Sequence, residues 1–397
     1  MGRHALGDGR RGPDLAVSNV PLAICLFFVG TAIVYNLLVI IAARRYLRQS
    51  AICNLQSAIT TPVSIFKPLK GATPHLYDCL ASFCRQDYPE YEILCCVAEA
   101  DDPAVGVVQK LQSDFPGVSI RLLFVDRRYG ANQKVNSLDK MNREMRYSYM
   151  LISDDDIVVG PGYLRHVMSE MSDPQVGVLT CPYRGKPGGT TASLWEALGI
   201  TGEFFCGVFV ARMLEGVRFA MGSTMGCRKE LLEAVGGFPV FADYLADDFE
   251  LGSRVAGLGH RGMLSRYVVD TILPADTWSS MIRHQFRWIR SQASSRPKGH
   301  FGLILTYGSV FAVTALLLAP SSLVVWAVAA TWAVARMAAG WTVGAGALDD
   351  PTMRRYFWLL PVRELLTVAL WAASLIFKTV YWRGESYRLE GGKMVRI

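Results

Sequence analysis

The chain has 397 residues, of which 51% are hydrophobic and only 19% charged, with a mean hydropathy of +0.24. Soluble domains carry about a quarter charged residues, so this composition leans toward the membrane, and so much apolar surface excludes a disordered chain. Its 41 Lys and Arg against 34 Asp and Glu leave a net charge of +7, weak for a nucleic-acid binder but natural beside anionic lipid or a phosphorylated substrate.

Along the chain, no charge occurs between Leu15 and Ala43, and the densest part runs from Ile24 to Ala43. That is long enough for the roughly 20-residue helix that crosses a bilayer. A cleaved leader would have an apolar region of about 7–15 residues and a small-residue cleavage site. This run is longer and ends in Arg44, Arg45 and Arg48, so a retained anchor is expected within residues 1–48. From 49 to 300 short apolar strands alternate with helical stretches, the signature of an α/β domain. Strands are expected at 63–66, 91–98, 118–125 and 149–153, and helices at 77–83, 104–115 and 248–256.

The apolar stretch 192–214 contains Glu196 and Glu203, seven residues apart and so close to one helical face. It reads equally as an interfacial or a buried core helix, whereas a full crossing would put Asp154 and Asp248 on opposite sides. Phe301 to Ala335 is again free of charge. As one helix it would be about 50 Å long, too much for one crossing, and Pro320-Ser321-Ser322 predicts two helices with a break. The stretch 356–377 carries adjacent Arg363 and Glu364, which predicts a helix packed on protein or lying at the interface. Membrane helices are therefore expected within 301–380, and a tail over 381–397. Arg3, Arg10 and Arg11 balance the three arginines after the first span, and Arg290, Arg296 and Lys298 break the tie. The positive-inside rule then places 44–300 in the cytoplasm.

Several generic motifs fail on context. Gly257-Leu258-Gly259-His260-Arg261-Gly262 fits GxGxxG, but it follows a helical stretch and precedes a strand-like run, the reverse of a dinucleotide fingerprint. There is no GxxxxGK[ST], and Gly222-Ser223-Thr224-Met225-Gly226 has Thr where a nucleophile elbow needs Ser. The nine cysteines include no CxxC pair and read as small core hydrophobes.

Three constellations carry chemistry. Asp154-Asp155-Asp156 closes an apolar strand, where three carboxylates repel one another and call for a cation, or else cap a turn. Hard Mg²⁺ or Mn²⁺ prefers such oxygens together with substrate phosphates. Asp247-Asp248 is a second acidic pair, and His284-Gln285-Phe286-Arg287-Trp288 offers a phosphate-matching guanidinium beside an aromatic platform.

The order of these elements resembles an inverting, membrane-bound glycosyltransferase of the GT-A fold. More narrowly it is similar to the ceramide glucosyltransferases and their bacterial relatives, including the hopanoid-associated glycosyltransferases. The matching stretches are FKPLKG (66–71), VAEADDPA (97–104), YGANQKVNSL (129–138), LISDDDI (151–157), MGSTMGCRKELLEAVGGF (221–238), YLADDFELG (244–252), FRW (286–288) and YWRGESYRL (381–389). The resemblance implies that Lys67 and Glu99, the latter usually Asp, line the nucleotide pocket. It implies that Lys134 and Asn136 flank the diphosphate or donor sugar, and that Asp154 and Asp156 form the metal motif for Mn²⁺ or Mg²⁺. Asp248 matches the catalytic base, and Gln285, Arg287 and Trp288 match the (Q/R)xxRW element, whose first position is His284 here. The implied reaction moves one sugar from a UDP-sugar, UDP-glucose or UDP-N-acetylglucosamine, to a hydroxyl of a membrane lipid, in a bacterial inner membrane. A polyprenyl-phosphate sugar transferase, a processive polysaccharide synthase and a non-catalytic nucleotide-sugar-binding regulator are the alternatives.

Overall fold

The computed structural model describes residues 19–50, 60–382 and 385–397. Arg3, Arg10 and Arg11, on which part of the orientation argument rests, lie outside the described residues, as do Arg383 and Gly384 of the last motif.

Ten strands build the α/β part: β1 (Val63–Pro68), β2 (Tyr91–Val97), β3 (Ser119–Phe124), β4 (Tyr149–Ser153), β5 (Ile157–Val158), β6 (Val176–Thr180), β7 (Tyr183–Lys186), β8 (Thr224–Arg228), β9 (Arg261–Leu264) and β10 (Val269–Ile272). Seven of them form one sheet in the order β3-β2-β1-β4-β8-β6-β9, and β5-β10-β7 form a smaller one. The first four run parallel, with Ile65 opposite both Ile93 and Leu151, and β8 lies antiparallel between β4 and β6. β1 is buried at every position, as expected of a sheet covered on both faces. The helix Asp247–Gly257 leads into β9 through the GxGxxG stretch, in the reverse context read from the sequence. Gly262 there answers a packing need, since a Cβ would stand 2.1 Å from the Val217 carbonyl oxygen.

The helix Gln133–Glu144 was not expected, because its sequence is polar overall. Its buried Val135, Leu138 and Met141 nonetheless recur every three residues, enough for one narrow apolar stripe.

The first helix, Asn19–Ser50, has 32 residues and is about 48 Å long at the usual rise. Phe28 stacks on Phe311 at 4.3 Å, and Val29 and Ala32 pack with Ala312 and Trp332. Phe27 and Val34 on its other side are exposed, as lipid-facing side chains are. The uncharged run beyond 300 forms Ser309–Leu318 and Leu323–Gly340, with the break where Pro320 predicts it. Leu360–Ile376 follows, and its Arg363 and Glu364 are both buried against protein, in line with the packed-helix reading. Val20–Arg48, Leu323–Ala347 and Pro351–Ile376 are each long and apolar enough to cross a membrane.

Thr191–Glu215 passes the same length and apolarity test. It is a protein-packed segment, however, running as helix, π-turn and helix from Thr191 through Ile200–Phe204 to Glu215. β7 before it and β8 after it are both built into the sheets, so its two ends lie on one side.

The last residues are not a loose tail. β11 (Thr379–Trp382), β12 (Glu385–Glu390) and β13 (Lys393–Arg396) form an antiparallel sheet. Leu245 joins Val380, Tyr387, Leu389 and Met394 in a small core, and Met394 N donates to the Asp243 carbonyl at 2.7 Å. The apolar positions of this sheet are too few and too interrupted by charge to show as strands in the sequence.

Candidate active site

β1 and β4 lie side by side, so the end of β1 supports the acidic loop that follows β4. Lys67 is fully buried: its Nζ donates to Ser153 Oγ at 3.0 Å and to the Asp154 carbonyl at 2.9 Å, over the Phe83 ring. Burial pushes this ammonium down to about 8, against the attraction of the nearby acids. Lys67 thus holds the acidic loop from beneath.

Above that loop, three charged side chains converge on Gly222. A Cβ at this glycine would stand 3.3 Å from Asp248 Oδ2 and Lys134 Nζ and 3.4 Å from Asp154 Oδ2. Lys134 Nζ donates to Asp154 Oδ1 at 2.5 Å, and Gly222 N donates to Asp248 Oδ2 at 2.7 Å. Asp248 Oδ1 accepts from Phe249 N at 2.8 Å, leaving each of its oxygens a further lone pair. Burial opposes the charge on Lys134, but Asp154, Asp247 and Asp248 around it more than offset this and hold its pKa above the ordinary value. Burial and the neighbouring Asp247 raise Asp248 to about 6, with Lys134 opposing.

Asp247 supports this arrangement from inside. It is buried, and its Oδ1 accepts from Asn132 Nδ2 at 3.1 Å. Asn132 also caps the Gln133–Glu144 helix by accepting from Lys134 N at 3.0 Å, so one side chain fixes both Lys134 and the acidic pair. Sequence reasoning did not single out Asn132, although Asn is the residue type that caps helices in this way.

Two further residues fall away from the cluster. Asn136 is buried, and its Oδ1 accepts from Tyr129 N at 3.0 Å, which shapes the loop ahead of its helix. Glu99 is well exposed and pairs with Arg128. Asp102 instead ties the two strand ends together, accepting from Gly71 N at 2.9 Å and Ala104 N at 2.9 Å.

The helix Trp278–Ser295 carries the HQFRW element. Gln285 is buried and its Oε1 accepts from Arg363 Nη2 at 2.8 Å, which anchors this helix to the C-terminal helices. Arg287 is half-buried and held by contacts within the fold. Trp288 lies 4.7 Å from the His284 ring and 6.4 Å from Phe204, and Phe204 lies 6.0 Å from Tyr183. Burial raises the pKa of Tyr183, and the charges of Asp248, Asp156 and Asp154 add to the rise. An aromatic path thus leads from the acids to the apolar helices. His284 Nδ1 meets buried Glu196 Oε1 at 2.6 Å, a pairing across 88 residues that no local pattern announces.

Among the described residues no group of three or more His, Cys, Asp or Glu side chains closes a metal cage. Hard divalent ions bound with substrate phosphates usually take only one or two protein carboxylates. Asp154 already holds a cation, the Lys134 ammonium, and burial with the charges of Asp154 and Asp155 pushes Asp156 up to about 7. A divalent ion held by Asp154 and Asp156 would supply these crowded carboxylates with counter-charge.

The mixed sheet with its acidic loop after a central strand has the architecture of the GT-A glycosyltransferases. The mannosyltransferase PcManGT from Pyrobaculum calidifontis, solved with GDP-Man and Mn²⁺, shares this fold at a TM-score of 0.59 and 19% identity, over 90% of this chain and 99% of its own. The chain belongs to glycosyl transferase family 21, whose sequence model matches residues 24–395. Ceramide glucosyltransferase 1 of Caenorhabditis elegans is 25% identical over 356 residues, covering 84% of this chain and 73% of its own. The ceramide glucosyltransferase of Pyricularia oryzae is 21% identical over 437 residues, covering 86% and 87%.

Proposed function

We propose that the chain transfers one sugar, with inversion, from a UDP-sugar (UDP-glucose or UDP-N-acetylglucosamine) to a hydroxyl of a membrane lipid such as ceramide or a hopanoid. The observation that carries this reading is the convergence of Asp154, Lys134 and Asp248 on Gly222, at the head of an aromatic path to the apolar helices. The ceramide glucosyltransferase relatives support the lipid acceptor.

In this reaction Asp248 takes the proton of the acceptor hydroxyl while that oxygen attacks the anomeric carbon opposite the departing diphosphate. A single displacement inverts the centre, and the leaving group needs charge neutralisation rather than a general acid. Lys134 and Arg287 provide fixed positive charge toward the phosphates, and Trp288 provides an apolar wall. A divalent ion held by Asp154 and Asp156 would add Lewis-acid stabilisation of the leaving diphosphate when bound.

Incubating the purified chain with labelled UDP-sugars and a panel of lipids, then identifying the product by mass spectrometry, tests the reading. One sugar on a neutral lipid supports it. A sugar on a lipid phosphate, a polysaccharide chain or no transfer at all would replace it with one of the alternatives.

Two narrower results are expected. Asp156→Ala abolishes turnover and weakens UDP binding in Mn²⁺ or Mg²⁺ while changing UDP binding little in EDTA, as calorimetry would read. Full turnover by the unmodified protein in EDTA contradicts it. With residues 49–300 on the cytoplasmic face of a bacterial inner membrane, a cysteine placed at Ser172 or Asp173 should escape an impermeant thiol reagent in intact cells. Labelling from outside would reverse the orientation.

A further inference from the structure

Between the C-terminal sheet and the Trp278–Ser295 helix lies a hollow of about 650 Å³, lined by Arg290, Ser294, Lys378, Arg388, Leu389 and Glu390 among others. Sugar transfer at Asp248 makes no use of it. Arg290 is buried, and its Nη1 donates to the Ser374 carbonyl at 2.8 Å. Its Nε is buried with no hydrogen-bond partner among the described residues. His300, which meets the same Ser374 at 2.9 Å through Nε2, likewise leaves Nδ1 without a partner. Arg290 lines the hollow, so its buried guanidinium sets a fixed positive charge in the wall.

The charge of the hollow points to an anion. Lys378 and Arg388 are exposed at its rim, and Arg388 meets Glu390 only loosely, at 3.9 Å. Three cations thus face one carboxylate. The position points to a lipid. Lys378 follows Ile376 and Phe377, which are 72% and 60% exposed at the end of the Leu360–Ile376 helix, and Phe301 on the neighbouring segment is 63% exposed. Exposed apolar side chains that give way to basic ones mark the level where acyl chains meet headgroups.

We propose that this hollow binds the phosphodiester headgroup of an anionic glycerophospholipid, with the acyl chains against Phe301, Ile376 and Phe377. The assignment rests on the Leu360–Ile376 helix lying in a bilayer. Its occupant bridges two elements next to the candidate active site. Gly392 N donates to Ser294 Oγ at 2.9 Å on the helix that carries Arg287, and Met394 N donates to the Asp243 carbonyl just before the acidic pair. A bound headgroup therefore clamps the C-terminal sheet to the helix of the RW element.

The test is lipid retention by the full-length chain, released from phosphatidylcholine nanodiscs containing phosphatidylglycerol and read by native mass spectrometry. Phosphatidylglycerol should be retained in preference to phosphatidylcholine, and K378Q/R388Q should weaken that retention by about tenfold or more. Both of these side chains are exposed, so the double variant keeps its fold even where R290Q does not. Equal retention by K378Q/R388Q overturns the site. Binding of inorganic phosphate without any preference for phosphatidylglycerol overturns the lipid and leaves a soluble anion in its place. Because the readout is lipid binding, its failure is separable from a failure of the sugar-transfer reading.

Discussion

Asp248→Asn is expected to lower kcat by about 10²-fold or more while leaving UDP-sugar affinity within a few fold, in line with the value of a positioned general base. Asparagine keeps the size of aspartate and can still accept from one of the two backbone donors, Gly222 N or Phe249 N, through its single oxygen, but it cannot take a proton. The surrounding charges make a second, independent signature. Burial and Asp247 hold Asp248 near 6 rather than in the ordinary carboxylate range. Because the base must be ionised, activity is present above that value and is lost as pH falls through it. The kcat/KM profile of the unmodified protein should therefore bend near pH 6, and the residual activity of the variant should lack that bend. Asp247→Asn should hurt turnover less, since Asp247 is buried and engaged with Asn132. Near-normal turnover in Asp248→Asn, or a loss confined to donor binding, would move the base elsewhere, with Asp247 the first place to look.

Local chemistry was readable from the sequence; long-range pairing was not. The strand ahead of Asp154 and the helix after Asp247 lie where apolar runs and acidic caps place them, because both depend on neighbours in the chain. The break near Pro320 followed from proline's missing donor and fixed backbone. The pocket role of Lys67 came from the family resemblance alone, and nothing local shows that the side chain is buried. Here β4 lies beside β1 and offers it an oxygen and a hydroxyl, which only the sheet order reveals. Glu196, Glu203, Arg363 and Glu364 stood out as charges in apolar stretches. Their partners lie on other helices, so the sequence announced a cost and not its resolution. Gln285 stood out through its motif, whereas its contact with Arg363, 78 residues away, has no local signal.

That last contact sets up the largest stability effect. Arg363 is buried on the Leu360–Ile376 helix and pairs through Nη1 with Glu203. It also donates through Nη2 to Gln285 and through Nε to the Trp195 carbonyl at 2.9 Å. Arg336 lies 3.6 Å from the other oxygen of Glu203 and 2.9 Å from Glu364, whose Oε1 accepts from Gly308 N and Ser309 N. Three helical segments are thus joined by alternating charges. Arg363→Gln leaves the largely enclosed Glu203 with only the more distant Arg336 for a counter-charge. Breaking a buried pair on one side costs about 3–5 kcal/mol, so a marked loss of thermal stability in detergent is expected. Neutralising both partners in Glu203→Gln/Arg363→Gln should recover most of it, because two amides can hydrogen-bond without an orphaned charge. The double-mutant cycle reads the coupling directly, and recovery remains measurable even if the single variant is too unstable to purify. A double variant no more stable than Arg363→Gln would mean that the guanidinium acts through Gln285 and Trp195 instead. In that case the helix bearing Arg287 and Trp288, and not the Glu203 charge, is what Arg363 holds in place.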